Sequence, residues 1–444
     1  MKIEINPQAN FIIHTLQDRG FEAYAVGGCV RNALLGLTPH DWDICTNALP
    51  DQMREVFRDF QTHDFGLKHG TLVVMSDGEP YEVTTYRIDG VYADNRHPES
   101  VTFTDDLSRD LSRRDFTVNA IAYNDLQGLA DPFGGAEDLK NNLLRCVGDP
   151  DNRFHEDALR ILRGLRFASV YGFTIEAETA AAIHRNASLL DNIARERVRE
   201  ELTGLLCGGH VLEVLTEFRD VIAVIIPELA QTFDFDQWNK HHCYDVWQHI
   251  VHAVAAVDDQ PILRVTMLLH DIGKPRACTV DVSGVRHFRG HQQISAEMAS
   301  DILKRLRFSN EFTDSCLQLI QYHDVRFNGT EKFVRRILQK LGEENTRLLF
   351  LVQRADISAQ SDYNRAEKLS MLDISEAQFN KSIEQNHCFS LKQLAVNGND
   401  IIRLGAKGRE VGNILNLLLD EVIEERLPNE REALLDRAQE IISK

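Results

Sequence analysis

No run of about 18 consecutive apolar residues occurs anywhere in the chain, so nothing in it reads as a membrane-spanning helix. None of the eight cysteines (29, 45, 146, 207, 243, 278, 316 and 388) is part of a C-x-x-C pair. That scatter suits reduced thiols and argues against a zinc ribbon or a disulfide framework. Positive charge is scarce: 49 Lys and Arg face 68 Asp and Glu, a formal net charge of −19. General coating of nucleic acid needs a cationic surface that displaces counterions, and this composition does not supply one. A local basic groove remains open to it through "RRDF" (113–116), "RILRGLRF" (160–167) and "ARERVRE" (194–200), although each run alone also reads as a solvated helix face. The opening "MKIEINPQANFIIHTL" has no secretory pattern, so a cytoplasmic protein is expected. Low-complexity tracts and internal repeats are absent as well.

What is present is more than one hydrophobic core can organise. The 444 residues predict two to four domains. Residues 1–145 mix β-branched or alternating segments ("YAVGG", "TLVVM", "YEVTTYRI", "AIAYN") with helical stretches, the pattern of a small mixed domain. "DPFGGAEDL" (131–139) punctuates it with Pro132, Gly134 and Gly135. Beyond residue 150 apolar residues recur at three- and four-residue spacing, so the remainder reads as helical.

The densest chemistry lies in "GGCVRNALLGLTPHDWDICT" (27–46). If "HDWDICT" is a strand, Asp41 and Asp43 project from the same face. Carboxylates so close repel one another, and a divalent cation offsets that cost best. Glu82, in "PYEVTTYRI", is the natural third acid on a neighbouring strand. Gly27 and Gly28 permit close backbone approach to a phosphate, and Arg31 stands near as a cationic clamp. A D-x-D alone is as readily a surface turn.

Taken jointly, these motifs resemble nucleotidyltransferases of the polymerase-beta superfamily, and within it the class II branch of bacterial CCA-adding enzymes and poly(A) polymerases. The resemblance implies that Asp41 and Asp43 bind Mg2+ with Glu82 as a further catalytic acid, and that Gly28 and Arg31 serve the nucleotide. Where that family carries an acid after the arginine, this chain has Asn32. "RRDFTVNAIAY" (113–123) is similar to the second motif, implying that Arg114, Asp115 and Asn119 hold triphosphate and ribose. "DPFGG" matches a hinge between head and neck. "EDALRILRGLRF" (156–167) resembles the motif in which Asp157 and Arg160 read CTP and ATP, with Arg163 and Arg166 joining the nucleotide-binding set. On a helix the pair would share one face and offer acceptor and donors in a fixed array. The polar excursion "IDGVYADNRHPE" (88–99) reads as a mobile loop, which in this family goes with adding the terminal adenosine. The basic signature of poly(A) polymerases after the neck motif is missing. "GREVGNILNLLLDEVIEERLPNEREALL" (408–435) resembles a tRNA-holding tail, and by pattern alone is two amphipathic helices around a Leu-Pro-Asn turn.

A second constellation, "WQHIVHAV…LLHDIGKP…RGHQQ…QYHD…RADIS", resembles the HD phosphohydrolase superfamily. His249, His270, Asp271 and Asp356 match its metal positions, and His291 and His323 stand where two-metal members place further ligands. A divalent transition metal such as Mn2+ or Ni2+ is implied there, with trimming of a damaged or cyclic-phosphate 3′-end as its use.

The expected fold is α+β: a small mixed sheet at the head (1–145), then an all-helical neck (146–208), an HD domain (209–370) and a helical body and tail (371–444). The expected partners are tRNA, CTP and ATP, with no membrane and an open oligomeric state. A poly(A) polymerase, or an RNA-binding protein whose site has decayed, are the alternatives.

Overall fold

In the computed structural model, residues 3–66, 70–90 and 100–443 are described. The chain forms two compact units, Met1–Pro227 and Glu228–Lys444, and the borders expected near 145, 208 and 370 fall inside one or the other.

The first unit is built on a sheet of seven strands. Up to residue 130 the strands in chain order are β1 (Ala23–Val26), β2 (Ile44–Thr46), β3 (Thr62–Gly66), β4 (Thr71–Ser76), β5 (Glu79–Thr85), β6 (Arg87–Asp89), β7 (Val101–Phe103), β8 (Ala122–Asn124) and β9 (Gly128–Ala130), and a short parallel pair, Leu143–Leu144 with Thr174–Ile175, follows. The sheet runs β3-β4-β5-β2-β1-β8-β9, and β6 with β7 makes a separate ribbon. β2 lies parallel to β5 while β1 is antiparallel to both β2 and β8, so the sheet is mixed as expected. β4 alternates half-buried and buried residues through "TLVVMS", the signature of a strand with one face in the core. Its hairpin to β5 turns on Asp77 and Gly78, both at positive φ, a pair whose twist matches that of the flanking strands. The anticipated loop at 88–99 begins in β6, and residues 91–99 lie outside the described residues.

Helices follow the sheet. Asp149 caps Pro150–Glu156, and Gly172, at φ 71°, stops Leu159–Tyr171 where a left-handed residue is needed. The "DPFGG" punctuation is tied down at both ends. Asp131 accepts the backbone N–H groups of Gly135 (2.7 Å) and Ala136 (2.9 Å), and Gly135 backs onto Thr117 so closely that a Cβ would sit 2.1 Å from its carbonyl oxygen.

The second unit is helical apart from a short ribbon, Thr279–Val280 with Arg286–His287. The helices Val246–Ala256, Pro261–Leu269, His291–Arg305, Asn310–Tyr322 and Glu331–Ser358 carry the histidine and aspartate positions picked out above or end beside them. Leu319, Val334, Leu349, Phe350 and Phe379 form a core among them. A second core, around Ile401, Ile414, Leu418 and Leu434, joins Arg409–Ile423 to Arg431–Ile442. These are the two amphipathic helices anticipated in the tail. In the turn between them, Asn429 accepts from the Ala395 N–H and donates to the Gln393 carbonyl, both at 2.9 Å.

Gly135→Ala is expected to destabilise the first unit by about 1–3 kcal/mol, because backbone rather than a flexible side chain must yield. Urea unfolding of the variant against wild type measures it.

Candidate active site and metal centre

Asp41, Trp42 and Asp43 lead into β2, whose first paired residue is Ile44; the strand assumed through "HDWDICT" therefore starts later. The alternation still holds. Trp42 is buried, whereas Asp41 and Asp43 face outward. Ile44 pairs with Val83 in parallel register, and both are buried, so one step back along each chain sets Asp43 beside Glu82 on the opposite face. Although its surface is open, Asp43 is crowded by protein: desolvation first, opposed by Arg114, then Glu82 and Asp41 raise its pKa. Carboxylate oxygens that repel one another suit a hard cation such as Mg2+. The trio is nonetheless looser than the clusters of the second unit, whose ligand atoms all lie within 4.8 Å of one another.

Gly27, at φ 80°, makes room for Arg114, because a Cβ there would lie 2.8 Å from Arg114 Nη1. Gly28 opens the helix Gly28–Leu34. Arg31 on that helix is buried and fully engaged: it donates to Asn119 Oδ1 (2.6 Å), Asn32 Oδ1 (2.9 Å) and the Tyr171 hydroxyl (2.9 Å), and it stacks on Phe167 and Tyr171. Asn119 donates in turn to Asp115 Oδ1 (2.9 Å), and Asp115 Oδ2 accepts from Arg163 Nε (2.9 Å). Burial alone would raise the Asp115 pKa, but Arg163, Asn119 and Arg160 overcome it and hold the carboxyl at about 2. Arg163 and Arg166 are only about one-third exposed and share Glu201, at 3.9 and 2.8 Å. The sequence reading missed Glu201, since nothing in "REELTG" distinguishes it from an ordinary helical glutamate.

The shared helical face expected of Asp157 and Arg160 requires correction. Asp157 ends the helix Pro150–Glu156 in an extended conformation, φ −136° and ψ 102°, and the next helix starts at Leu159. Its side chain caps Leu159 N–H (3.1 Å) and meets Arg197 (3.4 Å). Arg160 turns elsewhere, to Glu156 Oε2 (2.7 Å) and the Arg113 carbonyl (2.8 Å). A three-residue spacing puts two side chains on one face only where the helix is continuous, and here it breaks between them.

In the second unit all six expected ligands converge. His249 Nε2 lies 2.9 Å from Asp356 Oδ1 and 3.1 Å from Asp271 Oδ2, and His270 Nε2 lies 3.2 Å from the same Asp271 oxygen. The other Asp271 oxygen faces His291 (3.2 Å) and His323 (3.6 Å), so this carboxylate bridges two half-sites. Local geometry aims three of the imidazoles. His270, His291 and His323 each contact the carbonyl three residues earlier through Nδ1 (2.7, 2.8 and 2.6 Å), while His249 uses the distant Ala359 carbonyl (3.2 Å). Those partners assign the proton to Nδ1 and turn every Nε2 inward, as metal-ligating histidines require. The Nε2 atoms approach pairwise to 3.3 Å (His249 with His270) and 3.1 Å (His291 with His323). Both Asp271 oxygens are buried without a donor in hydrogen-bonding geometry. Burial opposes charge on Asp271, but His270 and Lys274 keep its pKa well below the carboxylate range. Nitrogen and oxygen donors packed this way fit divalent transition metals. Lys274, missed by the sequence reading, sits 2.6 Å from Asp271 and donates to Gln237 Oε1 (2.9 Å); its signal was its place three residues after Asp271 in "HDIGK".

The Poly A polymerase head domain family matches residues 23–145, the RNA and SrmB-binding site of polymerase A matches 172–232, and tRNA nucleotidyltransferase domain 2 matches 288–438. The fold is thus that of a nucleotidyltransferase. The CCA-adding enzyme of Lactiplantibacillus plantarum is 33% identical over 96% of this chain and 94% of its own, and that of Enterococcus faecalis is 32% identical over 98% and 95%. The crystal structure of the Bacillus stearothermophilus CCA-adding enzyme in complex with CTP, 28% identical, superposes with a TM-score of 0.73 over 99% of this chain and 98% of that one. The chain belongs to the CCA-adding enzyme family.

Asp115→Asn is expected to cost about 2 kcal/mol at neutral pH, the worth of hydrogen bonds to a charged group. A carboxyl whose folded pKa is depressed contributes stability above its unfolded value of about 3.9, and loses it as pH falls toward its folded value of about 2. The gap between wild type and variant in urea unfolding should therefore be full at pH 7 and 5 and shrink at pH 3.

Proposed function

We propose that the first unit adds C, C and A to the 3′-end of tRNA from CTP and ATP, without a nucleic-acid template. The observation that carries this reading is the register that sets Asp43 beside Glu82, with Asp41 adding to the repulsion, in a chain matched end to end by CCA-adding enzymes. Asp41, Asp43 and Glu82 would hold Mg2+. Bound there, the ions supply acidification of the RNA 3′-hydroxyl and screening of the triphosphate. The 3′-oxygen forms its bond to the α-phosphorus, pyrophosphate leaves, and Arg114, beside Asp43 and clear of Gly27, receives the triphosphate charge. Arg31, Asn119 and Asp115 act by fixing Arg163 against the nucleotide side of the head, and Gly28 leaves the approach to Arg31 open. Asp157 and Arg160 select the base, with Arg163 and Arg166 beside them. The support for Asp157 is its place on a non-helical joint, where the side chain can reorient; Arg160 would exchange Glu156 for the base. Residues 1–145 then act as head, 146–208 as neck, and 371–444 as the tRNA-holding body.

Residues 209–370, we infer, form an HD-type phosphohydrolase acting on phosphorylated RNA ends. The support is the two half-sites bridged by Asp271, with His249, His270 and Asp356 on one side and His291 and His323 on the other. A divalent transition metal, Mn2+ or Ni2+, would supply an acidified water and charge screening at phosphorus. The water oxygen bonds to phosphorus, the P–O ester bond breaks, and the leaving alcohol takes the proton. Lys274 fixes Asp271 for this geometry.

Incubating the protein with tRNA lacking CCA, CTP, ATP and Mg2+ should extend it by three nucleotides, and Asp43→Ala should lower the rate by about 10²–10³-fold or more. Long oligo(A) from ATP alone would identify a poly(A) polymerase, and undiminished addition by Asp43→Ala would remove the assignment. His270→Ala should abolish Mn2+- or Ni2+-dependent release of phosphate, and the thermal stabilisation by those ions, with CCA addition retained. No hydrolysis with any divalent ion would remove the second reading.

A further inference from the structure

The histidine and aspartate cluster opens into a cavity of about 1100 Å3, far more room than one phosphate fills. Its wall carries cations that the hydrolase reading does not use. Arg326 and Lys368 line it, the first exposed and the second half-buried, and among the described residues neither has a carboxylate within ion-pair distance. Other arginines of this unit do find acids: Arg354 meets Asp373 at 2.8 Å and Glu376 at 2.7 Å. His241 lines the same cavity with a buried, unpartnered Nδ1. Burial first, then Lys368, Lys240 and Arg326, disfavour its protonated form, so these cations surround it. Of the three cations around His241, Lys240 donates to the Tyr363 hydroxyl and Lys368 to the Gln360 amide oxygen, both at 2.6 Å, and Arg326 is the one with no side-chain partner among the described residues. Asp324 and Asp356 partly balance Lys368, whereas Arg326 adds to the repulsion on it. Like charges gathered on one wall are relieved by a bound anion.

Distance sets what that anion belongs to. Lys368 donates to Gln360 Oε1 (2.6 Å), and Gln360 Nε2 donates to Asp356 Oδ2 (2.8 Å), while Asp356 Oδ1 faces His249. The cationic wall is therefore one amide side chain away from the metal cluster, the scale on which a single ribose separates two successive phosphates. We propose that Arg326 and Lys368 form a second phosphate subsite, so that the cavity takes a ribonucleotide bearing a phosphate on each side of its ribose, the 3′-phosphate at the cluster and the 5′-phosphate at this wall. The proposal rests on the hydrolase reading of the same cavity. The doubly phosphorylated ribonucleotide is either the last residue of an RNA strand or a free nucleoside bisphosphate.

Three probes separate these cases with the full-length protein in Mn2+: adenosine 3′-monophosphate, adenosine 3′,5′-bisphosphate and a short oligoribonucleotide ending in a 3′-phosphate. The KM for the doubly phosphorylated probes is expected to be at least about tenfold below that for the monophosphate, the worth of one charge-assisted contact. In Arg326→Ala that ratio should fall toward one, and Arg326→Lys should recover part of it. A lower KM for the oligoribonucleotide than for the bisphosphate assigns the site to RNA ends, and the reverse assigns it to free nucleotides. Equal KM values for monophosphate and bisphosphate in wild type overturn the subsite. If no probe is hydrolysed, the hydrolase reading fails instead, and equilibrium binding of the same two adenosine phosphates decides the subsite: equal affinities, or a preference untouched by Arg326→Ala, sink it.

Discussion

The parallel pairing of β2 with β5 is the constraint from which the chemistry of the first unit follows. Burying Ile44 against Val83 leaves Asp43 and Glu82 no choice but to emerge side by side on the other face. The sheet holds them there against their repulsion, and only Arg114 offsets it among the causes acting on Asp43. Under the proposed metal-binding role, such a face is preorganised: the cost of gathering the acids is met by folding, not at the moment of reaction.

The residues proposed for the nucleotide form a chain of committed charges. Arg31 holds Asn119, Asn119 holds Asp115, Asp115 holds Arg163, and Glu201 is shared by Arg163 and Arg166. A buried charge without a partner is costly, so each member is fixed by the next. Arg31, Asp115 and Asn119 are thus positioned to orient arginines rather than to reach a ligand themselves. Arg163 and Arg166 keep the exposure that a ligand would need.

The second unit solves a related problem with the opposite design. Four imidazoles are locked by their Nδ1 contacts before any ion arrives, and Asp271 spans both halves of the cluster. Beyond it the same cavity carries Arg326 and Lys368, neither of which has a carboxylate within ion-pair distance among the described residues, although Asp324 and Asp356 partly balance Lys368. Under the hydrolase proposal, acidic groups to gather cations and cationic groups to gather phosphate lie within one cavity, the arrangement a phosphate ester would require.

The sequence by itself determined the elements and the ligand types. Alternation and turn residues marked the strands, the Leu-Pro-Asn break marked the tail helices, and the H, HD and D positions were legible because their order and identity carry the signal. Local contacts did the rest there, since three of the four imidazoles are aimed by a carbonyl only three residues away. The tertiary structure alone decided which charges are spent and which are free. Arg31 meets Asn119 across 88 residues and Arg163 meets Asp115 across 48, and no short-range pattern encodes such pairs. For the same reason Glu201 and Arg326 gained their roles only when the fold brought them to a site, whereas Lys274 and Gln360 lie within four residues of the aspartates they meet. The break at Asp157 was hidden too: apolar spacing continues across it, and a single extended residue is enough to turn Arg160 away from its expected partner.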